Sequence, residues 1–196
     1  EGAKLAIGAR RVDRLVTLGT ELAEKDKSRV FVQELDVQNT ESVRKFVEGT
    51  IKYHRGIDIL VNSAGLALGR RELATADEAD WEQMMETNFM GTFRMTKAVL
   101  PTLVAQKSGH IVNIGSIAGH HAYEGGAGYC GSKFAVTALT RALRLENVER
   151  GIKVSLIDPG LADTEFSLVR FKGDVEAAKK VYEGMTPLSA MDVADA

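Results

Sequence analysis

The sequence predicts an alternating α/β protein: a doubly wound parallel sheet with helices on both faces, in three layers. Three observations predict it. Five short apolar runs, Lys4–Ala9, Arg29–Val37, Ile57–Val61, His110–Gly115 and Ile152–Ile157, alternate with stretches whose apolar residues fall at helical spacing. The runs are continuous rather than alternating, the pattern of strands buried on both sides. Small and polar residues gather where the runs end: Arg10, Asp36, Asn62 to Gly65, Ser116 and Pro159-Gly160. In open parallel sheets, ligands sit beyond those carboxyl ends.

Each element has its own signal. After the first run, Val12, Leu15, Val16, Leu18 and Leu22 mark a helix over Arg10 to Lys25. Arg29–Val37 is rich in β-branched residues. Thr40 is placed to cap a helix over Glu41 to His54, with Val43, Phe46, Val47 and Ile51 on one side and Gly56 beyond its end. Ile57–Val61 leads into Asn62-Ser63-Ala64-Gly65. Asp77 or Asp80 caps a long helical region to about Ala105, with Pro101 bending or ending it. A helix carrying Tyr129 and Lys133 continues through Leu139, Leu143 and Val148. Ile152–Ile157 closes at Asp158-Pro159-Gly160, and Asp192 to Ala196 reads as the start of another helix.

At 196 residues the expectation is one domain, spanning 1–196. A composition of 44% apolar and 27% charged residues is that of an ordinary globular protein. A net charge of -2 makes no electrostatic case for nucleic acid or an anionic membrane. No apolar run approaches a membrane span. The single cysteine, Cys130, rules out an internal disulfide framework and suits a reducing, cytoplasmic compartment. No signal peptide is visible, but the chain opens on Glu1-Gly2 rather than Met, so a targeting segment could precede it.

The chemistry concentrates in GSIAGHHAYEGGAGYCGSK, Gly115 to Lys133. Tyr129 and Lys133 are four apart and share one helix face. Ser116 lies at the end of a strand. A strand end and a helix face can thus bring a hydroxyl, a phenol and an ammonium together. A free phenol, with a pKa of about 10, is a poor base near pH 7. A neighbouring ammonium favours the phenolate, and a hydroxyl can hold a substrate oxygen in line. The trio suits proton transfer at a carbonyl or alcohol oxygen while something else moves a hydride.

These residues resemble the short-chain dehydrogenase/reductase family over almost the whole chain. The resemblance is carried by Asn62-Ser63-Ala64-Gly65, Asn88, Ser116, Tyr129-x-x-x-Lys133, Pro159-Gly160 and Thr164. It implies a Rossmann-like fold and a proton relay. Tyr129 would be the acid/base and Ser116 would orient the substrate oxygen. Lys133 would lower the Tyr129 pKa and bond the nicotinamide ribose, and Asn88 would hold a relay water. Asp36 and Val37 would lie near adenine. Asn62, Ala64 and Gly65 would line the cofactor, and Pro159, Gly160 and Thr164 would flank the nicotinamide. Two departures stand out. Ser63 replaces an amide of the family's NNAG motif. The family's first strand and glycine-rich turn are absent, so the chain reads as a fragment of a longer polypeptide, short at both ends.

The cofactor expected is NADP. Ala9 is followed by Arg10-Arg11, where a guanidinium fork suits the 2′-phosphate, with Arg10 the likelier contact. The stretches Ala64 to Gly69 and Thr164 to Asp174 are similar to the 3-hydroxy acid dehydrogenases, which act on serine, allo-threonine and related acids. That implies a substrate carboxylate, for which Arg170 is the candidate partner. A 3-oxoacyl or other carbonyl reductase of the same family, and a non-catalytic nucleotide-binding protein, remain as alternatives. A symmetric homo-oligomer, a dimer or tetramer, is implied by analogy, with a small-molecule substrate as the other partner.

Other residues fit no chemistry. His54, His110, His120 and His121 have no Cys or carboxylate cluster at ligand spacing, so no metal is expected. His121 or Tyr123 could line the substrate pocket. Cys130 reads as a packed thiol, and no G-x-S-x-G elbow accompanies Ser116.

Overall fold

The computed structural model describes residues 2–26 and 29–196. Five strands form: β1 (Leu5–Ala9), β2 (Val30–Glu34), β3 (Ile59–Asn62), β4 (Gly109–Ile114) and β5 (Ile152–Ile157). All pairings are parallel. They fall into two sheets, β1-β2 and β3-β4-β5, rather than one. Among the described residues, no strand bridges β1 and β3, the place the resemblance assigns to a first strand.

The helices α1 (Val12–Asp26) and α2 (Thr40–His54) sandwich the first sheet. Strand alternation shows this. A Cβ on Gly19 of α1 would meet Val32, and one on Gly49 of α2 would meet the neighbouring Phe31. The cap of α2 differs from expectation. Asn39 Oδ1, not Thr40, accepts from the N–H groups of Glu41 and Ser42, and Thr40 is already helical.

Helices α4 (Gly91–Gln106) and α5 (Ala127–Asn147) pack against the second sheet. Leu60, Met95, Val99, Leu103, Ile111, Leu143 and Val154 there join Leu35, Val43, Phe46 and Val47 of the first sheet and α2 in one core cluster. The expectation that helices cover both faces fails at β3. Its residues alternate exposed and buried, leaving Ile59 61% and Val61 55% exposed. Apolar composition signalled burial that the described residues do not supply.

The long helical region is broken in a way the sequence pattern did not reveal. Asp77 caps α3 (Glu78–Met84), accepting from Ala79 N. A π turn follows over Met85–Met90, and α4 begins at Gly91. Pro101 neither ends nor interrupts α4; it sits inside the helix. Three short helices complete the chain: α6 (Glu165–Arg170), α7 (Val175–Lys180) and α8 (Ala190–Ala194), the last with a Ser189/Asp192 capping box.

Candidate active site

The site is built on the carboxyl ends of β3, β4 and β5 and on the first turns of α5. Beyond β4, Ser116 adopts extended backbone and caps a short 3₁₀ turn, its Oγ accepting from Ala118 N at 3.1 Å. Gly115 is needed just before it. A Cβ there would lie 2.0 Å from Asp158 Oδ1. That carboxylate, at the end of β5, accepts from Ser116 N at 2.9 Å and pairs through Oδ2 with His120 Nε2 at 2.8 Å.

Tyr129 and Lys133 face the same side of α5. Tyr129 is 9% exposed and Lys133 6%. The Phe166 ring packs edge-on against the Tyr129 ring, centroids 5.5 Å apart. Lys133 Nζ donates to Ile114 O at 2.9 Å and lies 5.9 Å from the Tyr129 ring centroid. The Ser116, Tyr129 and Lys133 trio is therefore brought together at one strand end.

Its electrostatics differ from expectation. Burial pushes the Tyr129 phenol up to about 12, against a smaller opposing pull from the Ser116 hydroxyl. Burial likewise lowers Lys133 to about 8, and the Asp158 carboxylate acts to raise it. The expectation that Lys133 lowers the Tyr129 pKa is not met in this structure. The ammonium is directed at Ile114 O, and burial of the phenol outweighs the opposing pulls of the Ser116 hydroxyl and the Arg170 guanidinium. The phenol is held in its protonated form, the form that gives a proton to a carbonyl oxygen.

Asn88 lies in the π turn, a feature common at functional sites. Its Oδ1 accepts from Leu66 N at 2.8 Å, and its Nδ2 donates to Leu66 O at 2.8 Å and to Ser132 Oγ at 2.9 Å. The side chain thus ties the loop after β3 to α5. A Cβ on Gly65 would stand 3.4 Å from Asn88 Oδ1 and 3.7 Å from Lys133 Nζ, so Gly65, Asn88 and Lys133 converge.

The other expected cofactor residues divide. Ala64, Gly65 and Gly160 are exposed at strand ends, and among the described residues no atom lies within 4 Å of a Cβ placed on Gly160. Pro159 O accepts from Ile117 N, and Thr164 Oγ1 caps α6 by accepting from Phe166 N at 3.2 Å. Asn62 is turned inward. Its amide donates to Thr96 Oγ1 and to Asn113 Oδ1, so the side chain joins strands rather than lining a cleft. Asp36 Oδ1 accepts from Gln38 N, and Val37 packs where a Cβ on Gly91 would clash. Arg11 and Arg14 both pair with Glu165, at 2.9 and 2.8 Å, on the surface. Arg10 is exposed and makes no side-chain hydrogen bond or ion pair among the described residues.

A pocket beside Tyr129 is lined by Gly69, Asp80, Trp81, Met84, Gly126 and Arg170, among others. Cys130 packs with Leu66, Met84 and Tyr129, as a buried thiol. His121 is exposed, whereas Tyr123 lies half-buried near the pocket. Sequence reasoning missed Asp158, His120 and the Gly69 contact. Only Asp158 had a signal, a carboxylate at a strand end beside the Ser116 strand.

A chain so arranged can hold a carbonyl or alcohol oxygen between Ser116 and Tyr129. The family profile described as short chain dehydrogenase matches residues 1–173. The NADP-dependent 3-hydroxy acid dehydrogenase of Schizosaccharomyces pombe is 40% identical over 192 residues, 98% of this chain and 74% of that protein. The serine 3-dehydrogenase of Rhizobium radiobacter is 37% identical, covering 100% of this chain and 76% of that one. A solved closed form of serine dehydrogenase complexed with NADP+ superposes with a TM-score of 0.91 at 39% identity, over 99% of this chain and 77% of that chain. On the profile match and on relatives at this identity, the chain belongs to the short chain dehydrogenase family.

Proposed function

We propose that the protein transfers a hydride between NADP and a short 3-hydroxy acid or its semialdehyde. The observation that carries this reading is the joint presence of Ser116, Tyr129 and Lys133 at one strand end in a chain 40% identical to a 3-hydroxy acid dehydrogenase. Exposed Gly65 is compatible with a cofactor lying over it, and a Cβ there would stand 3.7 Å from Lys133 Nζ. Arg10 and Arg11 would hold the 2′-phosphate, with Asp36 and Val37 toward adenine. Asn62, Ala64, Gly65, Lys133, Pro159, Gly160 and Thr164 would line the remainder, Asn62 only through its backbone. When bound, NADPH supplies the hydride for reduction, and NADP+ accepts it for oxidation.

The chain's own residues handle the proton. In reduction the Tyr129 O–H passes its proton to the carbonyl oxygen as that oxygen gains charge. Ser116 Oγ–H donates a hydrogen bond to the same oxygen and fixes it in line. The phenolate that Tyr129 becomes stands beside two cations, the Lys133 ammonium and the Arg170 guanidinium, each 5.9 Å from its ring centroid. In oxidation each transfer reverses, and the substrate hydroxyl returns its proton to Tyr129. Asn88 fixes the loop that carries Gly65 and so sets the floor of the site; the proposed water would bridge from here.

Phe93, Phe134, Leu145 and Val148 of α4, α5 and the turn that follows are exposed. They support a homo-oligomer, a dimer or a tetramer, formed through these helices. The single buried Cys130 supports a cytoplasmic setting. No helix of the described residues is long and apolar enough to cross a membrane.

The test is a steady-state screen of 3-hydroxy acids, 3-oxoacyl thioesters and neutral ketones against NADP(H) and NAD(H). A kcat/KM for a short 3-hydroxy acid above that for the others supports the reading. Preference for a 3-oxoacyl thioester would replace it with an acyl reductase, and absence of turnover on all would replace it with a non-catalytic role.

A further inference from the structure

We propose that Arg170, fixed by Gly69 and flanked by Tyr123, is the site that binds the carboxylate of the substrate. This rests on the hydroxy acid reading above and names the group that recognises the acid.

Arg170 is the last residue of α6, four beyond Phe166. The two share a face of the helix, so the ring against Tyr129 and the guanidinium lie on the same side. The guanidinium carbon stands 5.9 Å from the Tyr129 ring centroid and 5.4 Å from that of Tyr123. Its orientation is set by one residue. Gly69 N donates to Arg170 O at 2.8 Å, and Arg170 Nε donates to Gly69 O at 3.1 Å. Gly69 has a φ of 64°, the left-handed region that glycine adopts without strain.

One end of the fork is left without a partner. Nη2 of Arg170 is buried and makes no hydrogen bond among the described residues. A buried donor without an acceptor is costly, more so when charged. Such a donor beside a pocket marks where an incoming acceptor completes the arrangement. The matching acceptor for a planar guanidinium is a carboxylate.

Tyr123 fits the same role. Its ring lies so close over Gly126 that a Cβ there would be 2.2 Å away. Arg70 stands over the same ring, 5.7 Å from the centroid. Burial raises the Tyr123 phenol, which keeps its O–H as a donor at neutral pH. The acidic residues of the pocket are already engaged. Asp80 pairs with Lys172 at 2.9 Å, and Asp77 caps α3. Two cations, Arg71 and Arg170, line this pocket, and among the described residues it is Arg170 that stands over the Tyr129 ring and carries a buried nitrogen without a partner. A 3-hydroxy acid carries its carboxylate two bonds from the carbinol carbon. With that carbon's oxygen held by Ser116 and Tyr129, a carboxylate two bonds away is within reach of Arg170, whose guanidinium carbon is 5.9 Å from the Tyr129 ring centroid. A thioester or a neutral ketone presents no charge there.

The experiment compares 3-hydroxypropionate with its methyl ester, using wild type, Arg170→Ala and Arg170→Lys. Wild type is expected to favour the acid. Arg170→Ala is expected to raise KM for the acid roughly 10- to 100-fold, the range of a lost charge-assisted bond, and KM for the ester by a much smaller factor. Arg170→Lys should recover part, because it restores charge without the fork. Equal effects on acid and ester, or no effect on the acid, would overturn the proposal. A second measurement needs no turnover: the shift in thermal midpoint with added 3-hydroxypropionate in the presence of NADP. A shift in wild type that is lost in Arg170→Ala supports the carboxylate site even if the hydroxy acid reading fails. No shift in wild type, or the same shift in both proteins, overturns it.

Discussion

Asp158 Oδ1 accepts a hydrogen bond from the backbone N–H of Ser116 at 2.9 Å. The strand-end carboxylate of β5 thereby fixes the serine that ends β4. Gly115 makes this possible, since any Cβ there would collide with the same oxygen. Asp158→Ala should lower kcat roughly 10-fold or more, with a smaller change in KM, because a bond to a charged group is typically worth 1.5–3 kcal/mol. Asp158→Asn keeps an acceptor and should recover most of the loss. Gly115→Ala should destabilise by about 1–3 kcal/mol through overpacking. Kinetics and chemical denaturation of the three variants check this. Equal losses in Asp158→Ala and Asp158→Asn would show that charge, not the acceptor, matters.

Lys133 gives a stability signature. Burial lowers its pKa to about 8 from 10.5. Below pH 8 the ammonium is charged in both folded and unfolded chains, and the full cost of burying it is present. Between about 8 and 10.5 the folded chain binds fewer protons than the unfolded one, so the cost is relieved as pH rises. Lys133→Met does not titrate. The stability of wild type relative to Lys133→Met should therefore rise by about 3 kcal/mol between pH 7 and pH 10.5, at 1.36 kcal/mol per unit. Urea denaturation at several pH values measures it, and a constant difference would contradict the buried ammonium.

Asn88 serves the loop as well as the proposed relay. Asn88→Ala would leave Leu66 N and O without their side-chain partners. Each buried group so stranded costs about 1–3 kcal/mol. The expected result is a loss of roughly 2–6 kcal/mol in denaturant, with faster amide exchange at Leu66. Unchanged exchange there would show that the loop is held by something else.

Among the described residues Arg10 makes no ion pair, whereas Arg11 is paired with Glu165. Arg10→Ala should raise KM for NADPH roughly 10-fold or more and leave KM for NADH nearly unchanged. Arg11→Ala should do less. Steady-state kinetics with both cofactors decides it, and a wild-type preference for NADH would refute the assignment.

Much of this was legible in the sequence. The five strands appear within a few residues of their apolar runs, because continuous Ile, Val and Leu bounded by Gly or Pro leave few other options. Tyr129 and Lys133 were readable as a pair because helical spacing alone fixes their common face. Other features depend on partners distant in sequence. The π turn that displays Asn88 has no local residue signal. Asn62 is turned inward because Thr96 and Asn113 wait there, 34 and 51 residues on. The split into two sheets and the raised Tyr129 pKa follow from which surfaces are covered, a property no single segment carries. Arg170 is a candidate substrate partner by sequence, but its contact with Gly69, 101 residues away, comes only with the fold.

The central claim is that the buried Tyr129 phenol carries the proton. The most direct measurement is the initial rate of reduced-nicotinamide consumption with a 3-oxo acid, in wild type and Tyr129→Phe, at matched stability. Phenylalanine keeps the ring against Phe166 and removes only the hydroxyl. The account predicts a loss in kcat of about 10² or more, with NADPH binding retained. A Tyr129→Phe rate within a few-fold of wild type would contradict it.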